Sequence, residues 1–466
     1  MRRLLFALLV TSAAVAIGGP ATAATAGPAA AGAAGPVGAS PAVPAKAKPR
    51  DLTIVAPSTL YLSAPPYAYP GGVITYGATA TLEQARENVT AVNPEVSKKP
   101  ISPGRGFHWI GLKVMLTNTG SQDLTFPVPL MTGTDGQPYY GSDATTPGCA
   151  QLATFPPRTL GPGKSLAACD TYLLPDKVEP RLAKINIGFS NPAATGFWQI
   201  SATALAKPKF PAVYAALGDS YSSGEGAGDY DANLEKCHRS ADAWPRLVAS
   251  ELPRLIRPMQ YGALIACSGA TSQALDGHVE DQPNQLVLLQ DVKPPATLLT
   301  ITMGGNDVKF SDILTDCVLT LGNCVADGRI AEAESDIDHE QHILVADYRE
   351  LRSADKHATI IVVGYPRLFP TTQGQVLLRC RGWLNNNVRA SLNDLDADLN
   401  AVIHAAAAQD GLRFIDVTSA LNHHEGCAAN SWLYPLVRPN QQQSGHPTKP
   451  GQKAIAAIVS TYFRHL

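Results

Sequence analysis

The sequence predicts an α/β protein: a three-layer parallel sheet flanked by helices over residues 212–466, preceded by an all-β sandwich over residues 51–206. Three observations predict it. After the proline-marked joint Lys207-Pro208-Lys209-Phe210-Pro211, strand-like runs at 212–217, 261–265, 296–302, 359–364 and 412–417 alternate with helical patterns, notably 337–351, 386–408 and 454–464. That alternation is the mark of a parallel sheet with helices on both faces. Before the joint the texture is short strands and tight turns. Finally, the first three strand-like runs are each followed by a glycine-bearing segment: Gly218-Asp219-Ser220, Cys267-Ser268-Gly269-Ala270-Thr271 and Gly304-Gly305-Asn306-Asp307. The carboxyl ends of parallel strands are where such sheets present groups to a ligand.

The elements follow in order. Arg2-Arg3, the apolar run 4–17 and a small-residue site at Ala21-Thr22-Ala23 or Ala24-Thr25-Ala26 read as a secretory signal over residues 1–26. The apolar run is too short to span a bilayer comfortably, and no later segment has the roughly 18 continuous apolar residues a spanning helix needs. Residues 27–50 are mostly Ala, Pro, Gly and Lys and form a semi-extended linker. Strands are expected at 108–117, 124–128, 137–140 and 183–189, with turns at Asn118-Thr119-Gly120 and Thr134-Asp135-Gly136. Gly161-Pro162-Gly163-Lys164-Ser165 lacks the leading glycine of a phosphate-binding loop, since Arg158 stands there, and reads as a turn.

With 45% hydrophobic residues, 16% charged and a net charge of −2, the composition points away from nucleic acid and anionic membranes as partners. Export also sets how the eight cysteines read. An even number in an oxidising compartment predicts disulfides, with neighbours as the natural pairs: Cys149–Cys169, Cys237–Cys267, Cys317–Cys324 and Cys380–Cys427. No Cys-x-x-Cys spacing exists, so no metal site is expected.

Gly218-Asp219-Ser220, Gly269, Gly304-x-Asn306-Asp307 and His446 together resemble the four blocks of the SGNH (GDSL) hydrolase superfamily. The run from 218 to 226, with Cys237-His238-Arg239-Ser240 and Trp244-Pro245, is similar to its secreted actinobacterial esterases and lipases. The resemblance covers residues 214–466 and implies a flavodoxin-like sheet and a secreted ester hydrolase with no cofactor. It implies Ser220 as nucleophile and His446 as base. It implies an oxyanion hole from the backbone N–H of Ser220, the backbone N–H of Gly269 and the Asn306 side chain. Elementary chemistry agrees. A serine hydroxyl needs an adjacent base, histidine serves as one near neutral pH, and a tetrahedral oxyanion needs preset donors. The family often places an Asp three residues before the histidine; Gln443 stands here. A Ser-His dyad is therefore expected, with His446 Nδ1–H donating to the carbonyl of Gln443 or Ser444. The implied substrate is a small-molecule or lipid ester, with polysaccharide acetyl groups as the alternative. The middle of the 51–206 region is similar to immunoglobulin-like accessory domains of exported Gram-positive proteins, which makes it the candidate for cell-wall or polysaccharide contact. A surface-binding protein with weak hydrolysis is the alternative of a different class.

Other polar clusters have plainer readings. His339-Glu340-Gln341-His342 misses the zincin spacing by one residue and reads as a solvated helix face. His423-His424-Glu425 reads as structural, Asp416 as a turn residue, and Glu225 and Asp229 as loop carboxylates in water. Residues 221–242, 310–327 and 369–385 are the expected walls of the site, stiffened by their cysteines.

Overall fold

The computed structural model describes residues 48–466 except 56–58, 70–71, 94–96, 143, 148–151, 153–158, 188–193, 203–204, 233–234, 258–262, 276, 278–282, 321 and 435–442. The expected secretory signal and nearly all of the expected linker lie outside the described residues.

The N-terminal region is mostly strand. One antiparallel sheet joins Arg50–Asp51, Gly72–Glu87, Phe107–Asn118 and Ser165–Pro175 in that order, with Thr59–Tyr69 also paired to Gly72–Glu87. A second runs Pro138–Tyr139, Leu130–Gly133, Pro180–Ile187, Ala194–Ser201, Thr53–Val55. Period-two patterning drives the central strand: Ile110, Leu112, Val114 and Leu116 are all buried on one face. Met131, Ile185, Trp198 and Ile200 of the second sheet join them in one hydrophobic cluster. The expected strand at 124–128 shrinks to Leu124–Thr125 because Pro127 and Pro129 cannot donate to a ladder. The long Ser165–Pro175 strand was not expected from the sequence.

After Pro211 a four-stranded parallel sheet runs Tyr214–Gly218, Leu298–Thr302, Thr359–Val363, Arg413–Ile415. The strand expected at 261–265 is reduced among the described residues to a parallel bridge between Leu264 and Ala216. Main-chain bonds from Ala216 N to Ala263 O (2.9 Å) and Ile265 N to Ala216 O (2.7 Å) still lay it beside the first strand. Counting that segment second along the chain, the order is 2-1-3-4-5, the flavodoxin-like arrangement.

Alternate strand residues feed two separate cores. Leu217, Leu299, Ile301, Ile360 and Val362 pack with residues of the Arg329–Ala354 and Asn386–Gln409 helices. Tyr214, Ala216, Leu298, Ile361 and Val363 pack with those of Trp244–Glu251 and Lys449–Arg464. Strands buried on both faces are what a parallel sheet between helical layers requires. The β-rich region touches this layer through Gln199 Nε2 to Leu412 O (2.6 Å) and Arg413 Nε to Ala206 O (3.0 Å).

Candidate active site

The Tyr214–Gly218 strand ends in a turn only glycine can make. Gly218 has φ +123°, and a Cβ there would lie 2.2 Å from Thr302 O. The Gln285 side chain clamps that peptide twice: Gly218 N donates to Oε1 at 2.8 Å, and Nε2 donates to Gly218 O at 2.7 Å. Asp219 caps the one-turn helix Ser220–Ser223, its Oδ1 accepting Tyr221 N–H at 3.0 Å. Ser220 therefore sits at the first helical position, where a backbone N–H has no partner inside the helix.

Ser220 Oγ lies 2.6 Å from His446 Nε2, both side chains buried, although 226 residues separate them in sequence. His446 is carried on a turn just before the Lys449–Arg464 helix. Its main-chain N–H donates to Gln443 O at 3.1 Å, and Gly445 N–H donates to Tyr434 O at 2.8 Å. The expected Nδ1 bond to the carbonyl of Gln443 or Ser444 is not made. The Gln443 carbonyl closes the turn on the main-chain N–H instead. Tyr221, next to the serine, steadies the histidine loop: its hydroxyl donates to Gly445 O at 2.6 Å and its ring packs on the imidazole, centroids 5.4 Å apart.

The backbone N–H groups of Ser220 and Gly269 donate to no protein group among the described residues. Gly269 adopts φ +81° with open space around the position of a Cβ. Asn306 Nδ2 donates to Ala270 O at 2.8 Å, which fixes the amide plane and commits one of its two N–H bonds. Asp307 holds the same loop to the segment after Gly269 by accepting Ser272 N–H at 3.0 Å and Ser272 Oγ–H at 2.8 Å. The three expected donors thus belong to three turns, and Asn306 and Asp307 tie the second and third together.

Sequence reasoning passed over the network behind the serine. The Tyr365 hydroxyl donates to Asp219 Oδ2 and accepts Gly305 N–H at 3.0 Å, linking the serine turn to the Asn306 loop. Thr302 Oγ1 also donates to Asp219 Oδ1 at 3.2 Å. Burial pushes the Asp219 carboxyl up to about 6, against the pull of the Tyr365, Tyr221 and Thr302 hydrogen bonds. Burial also raises the Tyr365 hydroxyl well above its ordinary range, Asp219 adding to the rise.

Glu225 corrects an expectation. It is fully buried rather than in water; its Oε2 lies 2.6 Å from His238 Nδ1 and accepts Ser268 Oγ–H at 2.8 Å. Cys237–Cys267 joins the residues immediately before His238 and Ser268, so bridge and carboxylate brace the turn carrying Gly269. Asp229 is exposed and pairs with Lys449 at 3.0 Å. Cys317–Cys324 and Cys380–Cys427 form as expected. Cys169 is disulfide-bonded, and Cys149 lies outside the described residues. His424 stacks on Trp432 at 3.5 Å, Glu425 pairs with Arg367 at 3.0 Å, and Asp416 accepts Thr418 N–H at 2.8 Å, all structural. The 339–342 face is only partly solvated: His339 Nδ1 lies 2.6 Å from Ser335 O on its own helix, but Glu340 is buried.

The cleft over Ser220 and His446 is walled by the apolar side chains of Phe310, Leu314, Leu368 and Leu399. Such a serine and imidazole in contact, beside uncommitted N–H donors and an apolar cleft, have the parts that acyl transfer needs.

Residues 216–454, just over half of the chain, match the family model "GDSL-like Lipase/Acylhydrolase family". The chain belongs to this family and is an ester hydrolase of the lipase/esterase type. It is 35% identical over 257 residues to a lipase of Streptomyces rimosus, covering 54% of this chain and 87% of that protein. It is 35% identical over 250 residues to Lipase 1 of Streptomyces coelicolor, covering 53% and 85%. The crystal structure of an extracellular lipase from Streptomyces rimosus is similar at 34% identity and a TM-score of 0.46, covering 53% of this chain and 98% of that one.

Proposed function

We propose that the chain is a secreted serine esterase or lipase working through an acyl-Ser220 intermediate, with His446 as its base and no required cofactor. The observation that carries this is the 2.6 Å contact between Ser220 Oγ and His446 Nε2 beside the uncommitted N–H groups of Ser220 and Gly269. Ser220 Oγ attacks the ester carbonyl as its proton passes to Nε2. The oxyanion takes hydrogen bonds from the N–H of Ser220, the N–H of Gly269 and the second N–H of the Asn306 amide. Each such donor contributes roughly 3–4 kcal/mol in the transition state. As the tetrahedral intermediate collapses, the C–O bond to the alcohol breaks and the alcohol leaves with the proton from Nε2. Water then repeats the cycle on the acyl-serine, deprotonated by His446, and frees the acid.

The apolar cleft walls favour an acyl chain over a bare acetyl group. Export is supported by the basic and apolar start of the chain and by its disulfides. We assign residues 51–206 to an immunoglobulin-like sandwich, a reading supported by two antiparallel sheets sharing one core, and residues 212–466 to the hydrolase domain. The sandwich is the candidate for cell-wall or polysaccharide contact. The test is a p-nitrophenyl ester series from acetyl to palmitoyl. Turnover is expected to persist beyond acetyl, and a collapse there overturns the acyl-chain reading in favour of a deacetylase.

A further inference from the structure

One residue of the cleft wall has no task in the ester chemistry. Asp396 lies on the Asn386–Gln409 helix in the stripe Leu392, Asp396, Leu399, Ile403, whose spacing turns each member to the same face. The other three are apolar and buried, and Asp396 itself is 3% exposed. It lines the cleft together with Ser220, Tyr221 and His446. Its main-chain carbonyl accepts Asn400 Nδ2–H at 3.1 Å, but its carboxyl makes no hydrogen bond to any described residue. Burial holds that carboxyl well above the ordinary carboxylate range; Arg367 opposes the rise and Asp416 adds to it. A buried carboxyl is costly where an apolar residue fits the helix pattern, and one that lines the cleft beside Ser220 and His446 is placed to bond a polar group of the substrate.

We propose that Asp396 sets substrate specificity: its carboxyl hydrogen-bonds an oxygen carried by the substrate beyond the scissile ester, so the preferred substrates are esters bearing a hydroxyl on the chain that enters this pocket. This rests on the Ser220–His446 reading and names the substrate class of that site. A site built to bond a substrate hydroxyl rejects the analogue lacking it far more strongly than an apolar pocket rejects an added hydroxyl. The hydroxyl can belong to the acyl or to the alcohol half, and the two are separable.

The experiment measures kcat/KM of the full chain by pH-stat on two matched pairs. Methyl 3-hydroxybutyrate against methyl butyrate tests the acyl half. Glycerol 1-monobutyrate against propyl butyrate tests the alcohol half. The wild-type protein is expected to favour the hydroxylated member of one pair about tenfold or more. Asp396→Leu is expected to remove that preference while keeping or raising turnover of the plain ester; Asp396→Asn, which still donates, keeps much of it. Wild-type ratios near one in both pairs overturn the proposal without any variant. So does an equal loss on both members of each pair in Asp396→Leu, the mark of a structural role. Failure of the underlying reading has a different signature: Ser220→Ala would hydrolyse all four esters at wild-type rates.

Discussion

The serine and the histidine of this site are held by different means. On the serine side the ends of three parallel strands converge. Thr302 and Tyr365 bond the carboxyl of Asp219, Gln285 clamps the peptide of Gly218, and the serine has no freedom to drift. On the histidine side there is a turn. Main-chain bonds close Gln443 to His446 and Tyr434 to Gly445, and one tyrosine hydroxyl reaches across from the serine helix to Gly445. A buried carboxylate, Asp219, stands behind the serine. The difference teaches that positioning and charge are separable. Main-chain bonds hold the loop that carries the imidazole, and the Tyr221 ring packs on it, while Asp219 ties the serine turn through Tyr365 and Gly305 to the loop that carries Asn306.

Breaking either half of the reacting pair has the largest expected effect. Ser220→Ala or His446→Ala should lower kcat on p-nitrophenyl butyrate by about 10⁴-fold or more with the fold retained by circular dichroism. Near-wild-type turnover in either variant removes that residue from the mechanism. Asn306→Ala, on the loop the serine side supports, should cost about 10²–10³-fold in kcat with little change in KM.

The charged anchor makes a pH prediction. The Asp219 carboxyl is raised to about 6 in the fold from an ordinary 3.8. A carboxyl raised in the folded state contributes stability that is fully present below the unfolded value and lost as pH rises through the folded one. Between about pH 4 and pH 7 this amounts to roughly 2 kcal/mol. Relative to wild type, Asp219→Asn should therefore lose about that much less between pH 4 and pH 7 in urea unfolding. Parallel stability curves for the two proteins would remove Asp219 as the titrating group. The smallest effect belongs to the histidine side. Tyr221→Phe removes one neutral hydrogen bond, about 1 kcal/mol, and should lower kcat by about three- to tenfold at nearly constant KM. A change confined to KM would mean that Tyr221 shapes the cleft rather than the histidine loop.

The sheet and the turns at its strand ends were legible because their signals are local. Gly218 has to be glycine to make its turn, and Ser220, Gly269 and Asn306 follow strand-like runs directly. The residues that support them were not legible, because their roles come from contacts across the chain. Gln285 reaches Gly218 over 67 residues, Tyr365 reaches Asp219 over 146, and Tyr221 reaches Gly445 over 224. Glu225 was misread for the same reason. Its glycine neighbours suggest an open loop, while its burial depends on His238 and Ser268. Asp396 did leave a local signal, an acid in an apolar helix stripe, and that periodic violation is visible without a structure. The segment 261–265 carries a strand-like pattern, yet its described part pairs with the first strand only through a bridge.

In the proposed mechanism Ser220, activated by His446, forms the covalent intermediate. Labelling the full chain with a fluorophosphonate and mapping the adduct by peptide mass spectrometry tests it most directly. The account predicts one adduct, on Ser220, absent from Ser220→Ala and strongly slowed in His446→Ala, with hydrolysis lost in step with labelling. An adduct on another residue, or full ester hydrolysis by a completely labelled protein, would contradict it.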